Sequence, residues 1–534
     1  MLSFMFFIST LAFLINTVLY CYYINFMGLL FLIPCCLFTY LARHTNGAEK
    51  QVLIVGWKLG EGIDLEDPDA PKKVSVVLED KALNLGFLAI GGPGSGKTVA
   101  AIGMLQYFTE KRSGGWVYWE GKGDKDIYQQ TVSCGAAPDK FFSSELDHSD
   151  TVNVIAGPAD SIIERLTQTL IVSESDFYRN AQRDALRAVV PLLKSLDLAV
   201  NIRDLYVLLT KEEAAMYVMN LARKKNVDAD IIETAQMFLG KDESEKAAEI
   251  KGLLNCMSLF VTGKLADRLN SYEPTLDLDH AAKEGQKVYM HLPYTSLAKD
   301  IAIMFTEQIG VIAKNRQLYE SHREVWPQNY DDWGAFFYGN FGPITARCRS
   351  AKMPVSFLFQ SRGQTDRVEN GNIFTTEITD NIGGMFILRT NGQATAEWAS
   401  MQFGKYESRE LNSSEFNSSI STVEKLRVRG DELKNLDAGE AYLSCLISGK
   451  NGQSSNKRYL ARFPLPDFSQ AADIDWPVIK TGRPNNECEG LHLWRDFMDK
   501  DRLKALKEKI IKSVQTQNKI KHESIETTQE IDYI

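Results

Sequence analysis

Phe87-Leu88-Ala89-Ile90 runs directly into Gly91-Gly92-Pro93-Gly94-Ser95-Gly96-Lys97-Thr98, and this into the apolar stretch Val99–Phe108. Four apolar residues bounded by a glycine cluster have the look of a buried strand. Val99–Phe108 has the length and composition of a buried helix. The eight residues between them match G-x-x-x-x-G-K-[ST], with strand, loop and helix in the order that phosphate binding requires. Glycines let backbone N–H groups curl around an anion, and the helix N-terminus adds a favourable dipole. In such a loop Lys97 reaches the β- and γ-phosphates and Thr98 holds Mg²⁺. All eight residues, Gly91 to Thr98, are therefore expected to bind ATP with Mg²⁺. The context argues against a purely structural glycine turn.

Hydrolysis needs a carboxylate near the metal and a second group to orient or deprotonate water. The candidate is Tyr330-Asp331-Asp332-Trp333-Gly334, with Asp331 in the metal-linked role and Asp332 where related motors carry Glu. The preceding Val325-Trp326-Pro327-Gln328-Asn329 is a poor central strand, because proline removes a ladder donor and no aliphatic run is present. A solvated turn or helix cap is the competing reading of the aspartates. Further on, Pro354-Val355-Ser356-Phe357-Leu358-Phe359-Gln360 reads as a buried strand ending in a polar residue. Ligands meet parallel strands at their carboxyl ends, so Gln360 is a candidate sensor of the γ-phosphate or of water. A strand-capping amide is the plainer alternative. Arg347 and Arg349 lie between the two motifs, as arginine fingers for a neighbouring subunit or as surface or pore charges.

At 534 residues the chain is too long for one compact core. Its 44% hydrophobic and 24% charged residues are those of a folded protein. A formal net charge of −9 gives no basic surface for wrapping duplex DNA, although a ring can grip nucleic acid with a few pore residues. The 8 cysteines form no CxxC pair and no His/Cys cluster at zinc-ligand spacing. No charged residue occurs from Met1 to Ala42. A run of this length exceeds the roughly 20 residues that span a bilayer once. The expectation is a two-helix transmembrane hairpin, about Ser3–Leu19 and Met27–Leu41, turning at Tyr20–Asn25. A signal peptide would need a basic start and a cleavage site, and neither is present. Arg43 and Lys50 follow the second span. Together with ATP use they predict a multi-pass protein of the bacterial inner membrane with its body in the cytoplasm.

With these pieces in order, the chain resembles the type IV coupling proteins of secretion and conjugation systems, membrane-anchored, hexamer-forming ATPases of the FtsK/HerA-like group. Trp116-Val117-Tyr118-Trp119-Glu120-Gly121-Lys122-Gly123-Asp124 is similar to the family's second strand and its D-x-K-G-D turn, with Glu120 where Asp is common. Asn153-Val154-Ile155 is similar to its Asn-Pro-Leu segment, and Phe177-Tyr178-Arg179-Asn180-Ala181 to the start of its helical domain. Asp332-Trp333-Gly334, Ala346-Arg347-Cys348-Arg349-Ser350 and Phe357-Leu358-Phe359-Gln360 resemble D-E-x-G … A-x-x-R-S … F-x-x-Q, nearest the type IVB branch. Asp431–Ala441 resembles the closing strand region. The likeness runs over about Val52–Phe468 and the N-terminal hairpin. Glu120, Pro327 and Asp332 depart from the pattern, and these departures touch hydrolysis rather than nucleotide binding.

The implied fold is α/β: a RecA/FtsK-like P-loop domain with an inserted all-α domain, preceded by the hairpin. The expected boundaries are 1–45 for the hairpin, 46–175 and 281–470 for the two parts of the ATPase domain, 176–280 for the insertion and 471–534 for a C-terminal extension. More than 200 residues separate the loop from the second acidic motif, too long for one connection. Ala181–Leu196, Lys211–Lys225 and Glu243–Leu259 read as helices. Ser161-Ile162-Ile163-Glu164 has capping-box form. Lys287–Leu292 reads as a strand in which His291 is satisfied rather than a ligand, and Ile301–Ala313 as a helix. Met385–Arg389 and Ala441–Leu446 are further strands, and the Ser/Asn-rich Leu411–Ser421 reads as a loop. Asp499–Lys521 is a basic helical stretch, either a docking helix for a partner or packed on its own body.

The resemblance implies a homo-hexameric motor that recruits relaxase-bound single-stranded DNA, or protein effectors and their adaptors, to a type IV secretion channel. Two other functions compete: an FtsK-type duplex-DNA translocase, and a membrane scaffold that binds nucleotide with little hydrolysis.

Overall fold

A computed structural model describes residues 7–15, 17 and 56–498, apart from 113, 172–174, 321–323, 367, 369–370, 415–416, 449–453 and 480–481. Met1–Val55 and Gly56–Ile534 are separate units. In the second, an 11-stranded sheet runs in the order β2-β1-β13-β12-β9-β3-β8-β7-β4-β6-β5. Its strands are β1 (Gly56–Asp64), β2 (Lys72–Glu79), β3 (Phe87–Ile90), β4 (Trp116–Glu120), β5 (Lys140–Ser143), β6 (Lys287–His291), β7 (Gln328–Asp331), β8 (Val355–Phe359), β9 (Gly384–Leu388), β12 (Glu440–Ser448) and β13 (Ser454–Arg462). From β9 to β5 every pairing is parallel, whereas β9-β12-β13-β1-β2 is antiparallel.

The parallel half explains the unbroken apolar runs of the sequence, since its strands are covered on both faces. In β3, Phe87 and Ala89 point to one core with Ala101, Leu105 and Phe108 of helix α1 (Lys97–Arg112). Leu88 and Ile90 point to the other core, shared with the long helices that follow β5. These include Ala159–Leu170, Asp176–Ser195, Ile202–Thr210, Glu212–Lys224, Ala229–Leu239 and Glu243–Val261. The chain re-enters the sheet at β6. Helix α2 (Ser296–Tyr319) then leads to β7, and α3 (Phe341–Ser350) joins β7 to β8.

Strand β7 is central despite its composition. Pro327 lies just before it, where its missing N–H costs no ladder bond, and its carbonyl accepts from Val117 N at 2.8 Å. Gln328 and Asn329 are fully buried but partnered: Gln328 Oε1 accepts from Trp119 Nε1 at 3.3 Å, and Asn329 Nδ2 donates to Val117 O at 3.3 Å. The two amides make the core bonds that an aliphatic strand would leave out.

Three sequence expectations are corrected. The N-terminal transmembrane hairpin and the multi-pass inner-membrane localisation are not supported: among the described residues no helix is long and apolar enough to cross a membrane. Of the Ser3–Leu19 span only residues 7–15 and 17 are described, and they are helical. The Tyr20–Asn25 turn and the Met27–Leu41 span lie outside the described residues, as does the Asp499–Lys521 helix. Leu411–Ser421 is not a loop: β10 (Lys405–Ser414) and β11 (Asn417–Leu426) pair as an antiparallel ribbon. Its backbone ladder outweighs the turn propensity of serine and asparagine. Finally, the helix containing Ser161 starts at Ala159 after Pro158, with no side-chain cap, so Ser161–Glu164 is not a capping box.

Candidate nucleotide-binding site

Parallel pairing brings the carboxyl ends of the strands to one edge. Ile90 pairs with Phe359, Asp331 with Leu358, and Glu120 with both Asp331 and His291. The glycine loop after β3, Gln360 after β8 and the acidic pair at the end of β7 therefore stand side by side, as the sequence reading requires.

The loop turns because Gly94 and Gly96 take φ of +68° and +99°, conformations open to glycine at little cost. A Cβ on Gly96 would also lie 3.0 Å from Gly439 N, whose N–H donates to Ser95 O at 2.9 Å. Lys97 folds back over the loop, and its Nζ donates to Gly91 O at 2.6 Å and Gly92 O at 3.3 Å. Burial lowers its pKa, and the nearby charges of Asp331 and Asp332 oppose that shift. An ammonium held on loop carbonyls can exchange them for phosphate oxygens, which are better acceptors.

Thr98 Oγ1 donates to Asp331 Oδ2 at 3.0 Å, and Tyr118 OH donates to the same oxygen at 2.6 Å. Asp331 is buried. Desolvation raises its pKa, as does the charge of Asp332, while the Tyr118 and Thr98 hydroxyls and Lys97 pull it down. Asp332 has φ +51°, left-handed for a residue with a Cβ. The turn aims its carboxylate at Gln360, whose Nε2 donates to Oδ1 at 3.2 Å. Buried rings hold this turn from below: Trp333 stacks on Phe336 at 4.3 Å and Trp119 on Tyr330 at 5.2 Å. Strain maintained by such packing marks a turn that positions a side chain.

Glu120 faces inward, fully buried, and accepts from Lys122 N at 2.7 Å and from Gly123 N at 2.8 Å. Burial outweighs those bonds and pushes its pKa up to about 8. Its carboxyl group thus organises the Gly121–Asp124 turn. His291 pairs through Nδ1 with Ser143 Oγ at 2.8 Å and is held neutral by burial, its pKa lowered to about 4.

The two arginines are elsewhere. Arg347 and Arg349 sit in the last turn of α3, shortly before β8 begins at Val355, so they flank the amino ends of the strands rather than their own chain's loop. Two contributors escaped the sequence reading. Tyr118 is hidden in an apolar strand and gives no signal of its own. Arg389 follows an apolar strand just as Gly91 and Gln360 do, and that position was the available clue.

Thr98 and Asp331, together with phosphate oxygens of a bound nucleotide, would form an oxygen set suited to Mg²⁺, which keeps few protein ligands. No all-protein cluster able to hold a metal occurs among the described residues. Fold and site together define a P-loop NTPase. No family model and no curated protein matches the chain. Among solved structures it is similar to the bacterial conjugative coupling protein TrwBdeltaN70 in a trigonal form with sulphate. That likeness has a TM-score of 0.50 at 13% identity, over 74% of this chain and 87% of that one. It is also similar to the plasmid coupling protein TrwB with ADP and Mg²⁺ (TM-score 0.47, 13% identity, 77% and 95% covered). A further similarity is to VirB4 of Thermoanaerobacter pseudethanolicus (TM-score 0.44, 13% identity, 78% and 98% covered). The coupling-protein resemblance carried by the motifs therefore holds at the level of fold.

Proposed function

We propose that this chain binds and hydrolyses ATP with Mg²⁺ and couples the cycle to moving a substrate into a type IV secretion channel. The observation that carries the chemistry is the joining of Thr98, on the loop helix, to Asp331, on the second strand over (3.0 Å). Mg²⁺ held by Thr98 and Asp331 would neutralise charge between the phosphates. Lys97 binds the terminal phosphates. Asp332 and Gln360 orient a water for attack on the γ-phosphorus, and Asp332 accepts its proton as ADP leaves. The motif order and the fold support the cargo reading: relaxase-bound single-stranded DNA or protein effectors, delivered by a homo-hexamer docked on channel components. In such a ring the exposed Arg347 and Arg349 would be offered to the neighbouring copy.

Purified protein should hydrolyse ATP, and Lys97→Ala should abolish turnover. Undiminished turnover in that variant would overturn the assignment. Capture of a relaxase or effector, against binding of bare duplex, separates a coupling motor from a duplex translocase. One observation favours a nucleotide-binding protein with little hydrolysis as the second reading: Asp332 carries one methylene fewer than the glutamate usual at its position. A turnover no faster than that of Asp332→Ala would select it.

A further inference from the structure

Arg389 stands immediately after β9, the neighbour of the P-loop strand, where Ile387 pairs with Ile90. Its backbone is part of the loop's support, because its carbonyl accepts from Gly92 N at 2.7 Å. Its side chain follows: Nη2 lies 4.0 Å from where a Cβ on Gly94 would sit, at the crest of the loop. Asn391 is on the same side, its Nδ2 3.4 Å from a Cβ built on Gly92.

Nearby arginines are engaged by carboxylates: Arg362 by Asp366, Arg429 by Glu432, and Arg462 by Asp437 and Glu440. Arg389 is a half-buried residue, and among the described residues its guanidinium makes no ion pair. A guanidinium with no carboxylate partner, beside an anion-binding loop, is available to a bound phosphate. Lys97 belongs to α1, whereas Arg389 reaches the loop from the end of β9.

We propose that Arg389 contacts the terminal phosphates of nucleotide bound to its own chain and supplies in cis the charge that stabilises phosphoryl transfer. This rests on the reading of Gly91–Thr98 as an ATP site. It differs from an arginine offered by a neighbour, because it needs no second subunit. A planar guanidinium offers two parallel N–H donors in a fixed fork to the oxygens of one phosphate, a geometry that an ammonium lacks.

The test uses the full chain and measures affinity for ADP and for a non-hydrolysable ATP analogue, together with kcat. Arg389→Ala should weaken the analogue about tenfold or more while changing ADP affinity about threefold or less, and should lower kcat by about 10²–10³-fold. Arg389→Lys should recover part of the analogue affinity and little of kcat. Unchanged analogue affinity and kcat in Arg389→Ala would overturn the proposal, as would an equal loss for both nucleotides in Arg389→Lys, whose charge is kept. Lys97→Ala separates the two levels. If it leaves nucleotide affinity intact, the ATP-site reading fails. If it abolishes binding while Arg389→Ala is silent, only the arginine assignment fails.

Discussion

Thr98 Oγ1 and Asp331 Oδ2 lie 3.0 Å apart across 233 positions of sequence, and the same carboxylate oxygen receives Tyr118 OH at 2.6 Å. Two hydroxyls from β4 and α1 thus converge on one buried carboxylate on β7. They oppose the desolvation that raises its pKa. An ionised Asp331 is what a Mg²⁺ site needs, so Tyr118 would act as a positioning residue through the carboxylate that it bonds.

Tyr118→Phe tests that role. It removes a donor from a buried acceptor and should lower stability by about 1–3 kcal/mol in denaturant titration. It should also raise the Asp331 pKa further, since the lost bond acts downwards. Less carboxylate is then ionised at a given pH, so the acid limb of the turnover profile should move to higher pH. An unmoved limb with full stability would mean the hydroxyl only fills space.

Gly96→Ala concerns the loop's shape. At φ +99°, with Gly439 N 3.0 Å from the new methyl, no side chain fits without displacing backbone. The expected result is loss of nucleotide binding together with a destabilisation of about 1–3 kcal/mol. Tight binding of an ATP analogue by this variant would show that the loop tolerates another conformation.

The P-loop, its flanking strand and helix, and the carboxyl-edge position of Gln360 were legible because each is written locally, in glycine spacing or an apolar run. The arginine next to the loop was not, because Arg389 meets Gly92 and Gly94 only through the parallel pairing of β9 with β3. Strand β7 is atypical in its local sequence, with Pro327 just before it and no aliphatic run. What rescues it is long-range: Trp119 and Val117 of β4 bond to its buried amides. The β10-β11 ribbon was missed because serine and asparagine report turn propensity, while register pairs such as Ser413 with Ser418 are set by the ladder.

Glu120 makes stability depend on pH. Its pKa is raised from 4.5 to about 8, so the folded state holds a proton that the unfolded state has released. That contribution is fully present below pH about 4.5 and is lost as pH rises through about 8. His291, lowered from 6.5 to about 4, acts in the opposite sense below pH 6.5. Between pH 6.5 and 8 the Glu120 slope therefore stands alone of the two, at up to about 1.4 kcal/mol per pH unit. Glu120→Gln should flatten it, read as the difference between two unfolding series. Identical slopes for both proteins would show that Glu120 is ionised in the fold.

Asp332 sets stability against chemistry within one residue. Its φ of +51° is unfavourable for a side chain with a Cβ and favourable for glycine. Asp332→Gly should therefore unfold at equal or higher denaturant, by up to about 1 kcal/mol, even though it loses the 3.2 Å bond from Gln360. Turnover should nevertheless fall at least about 100-fold, because the group that accepts the proton from water is gone. Binding of an ATP analogue should persist, since Lys97, Thr98 and Asp331 are untouched. Asp332→Ala should lose turnover equally but gain no stability, because it keeps the strained backbone. If Asp332→Gly hydrolyses ATP at the wild-type rate, the aspartate is only a turn residue, and the base must be sought elsewhere along the carboxyl edge of the sheet.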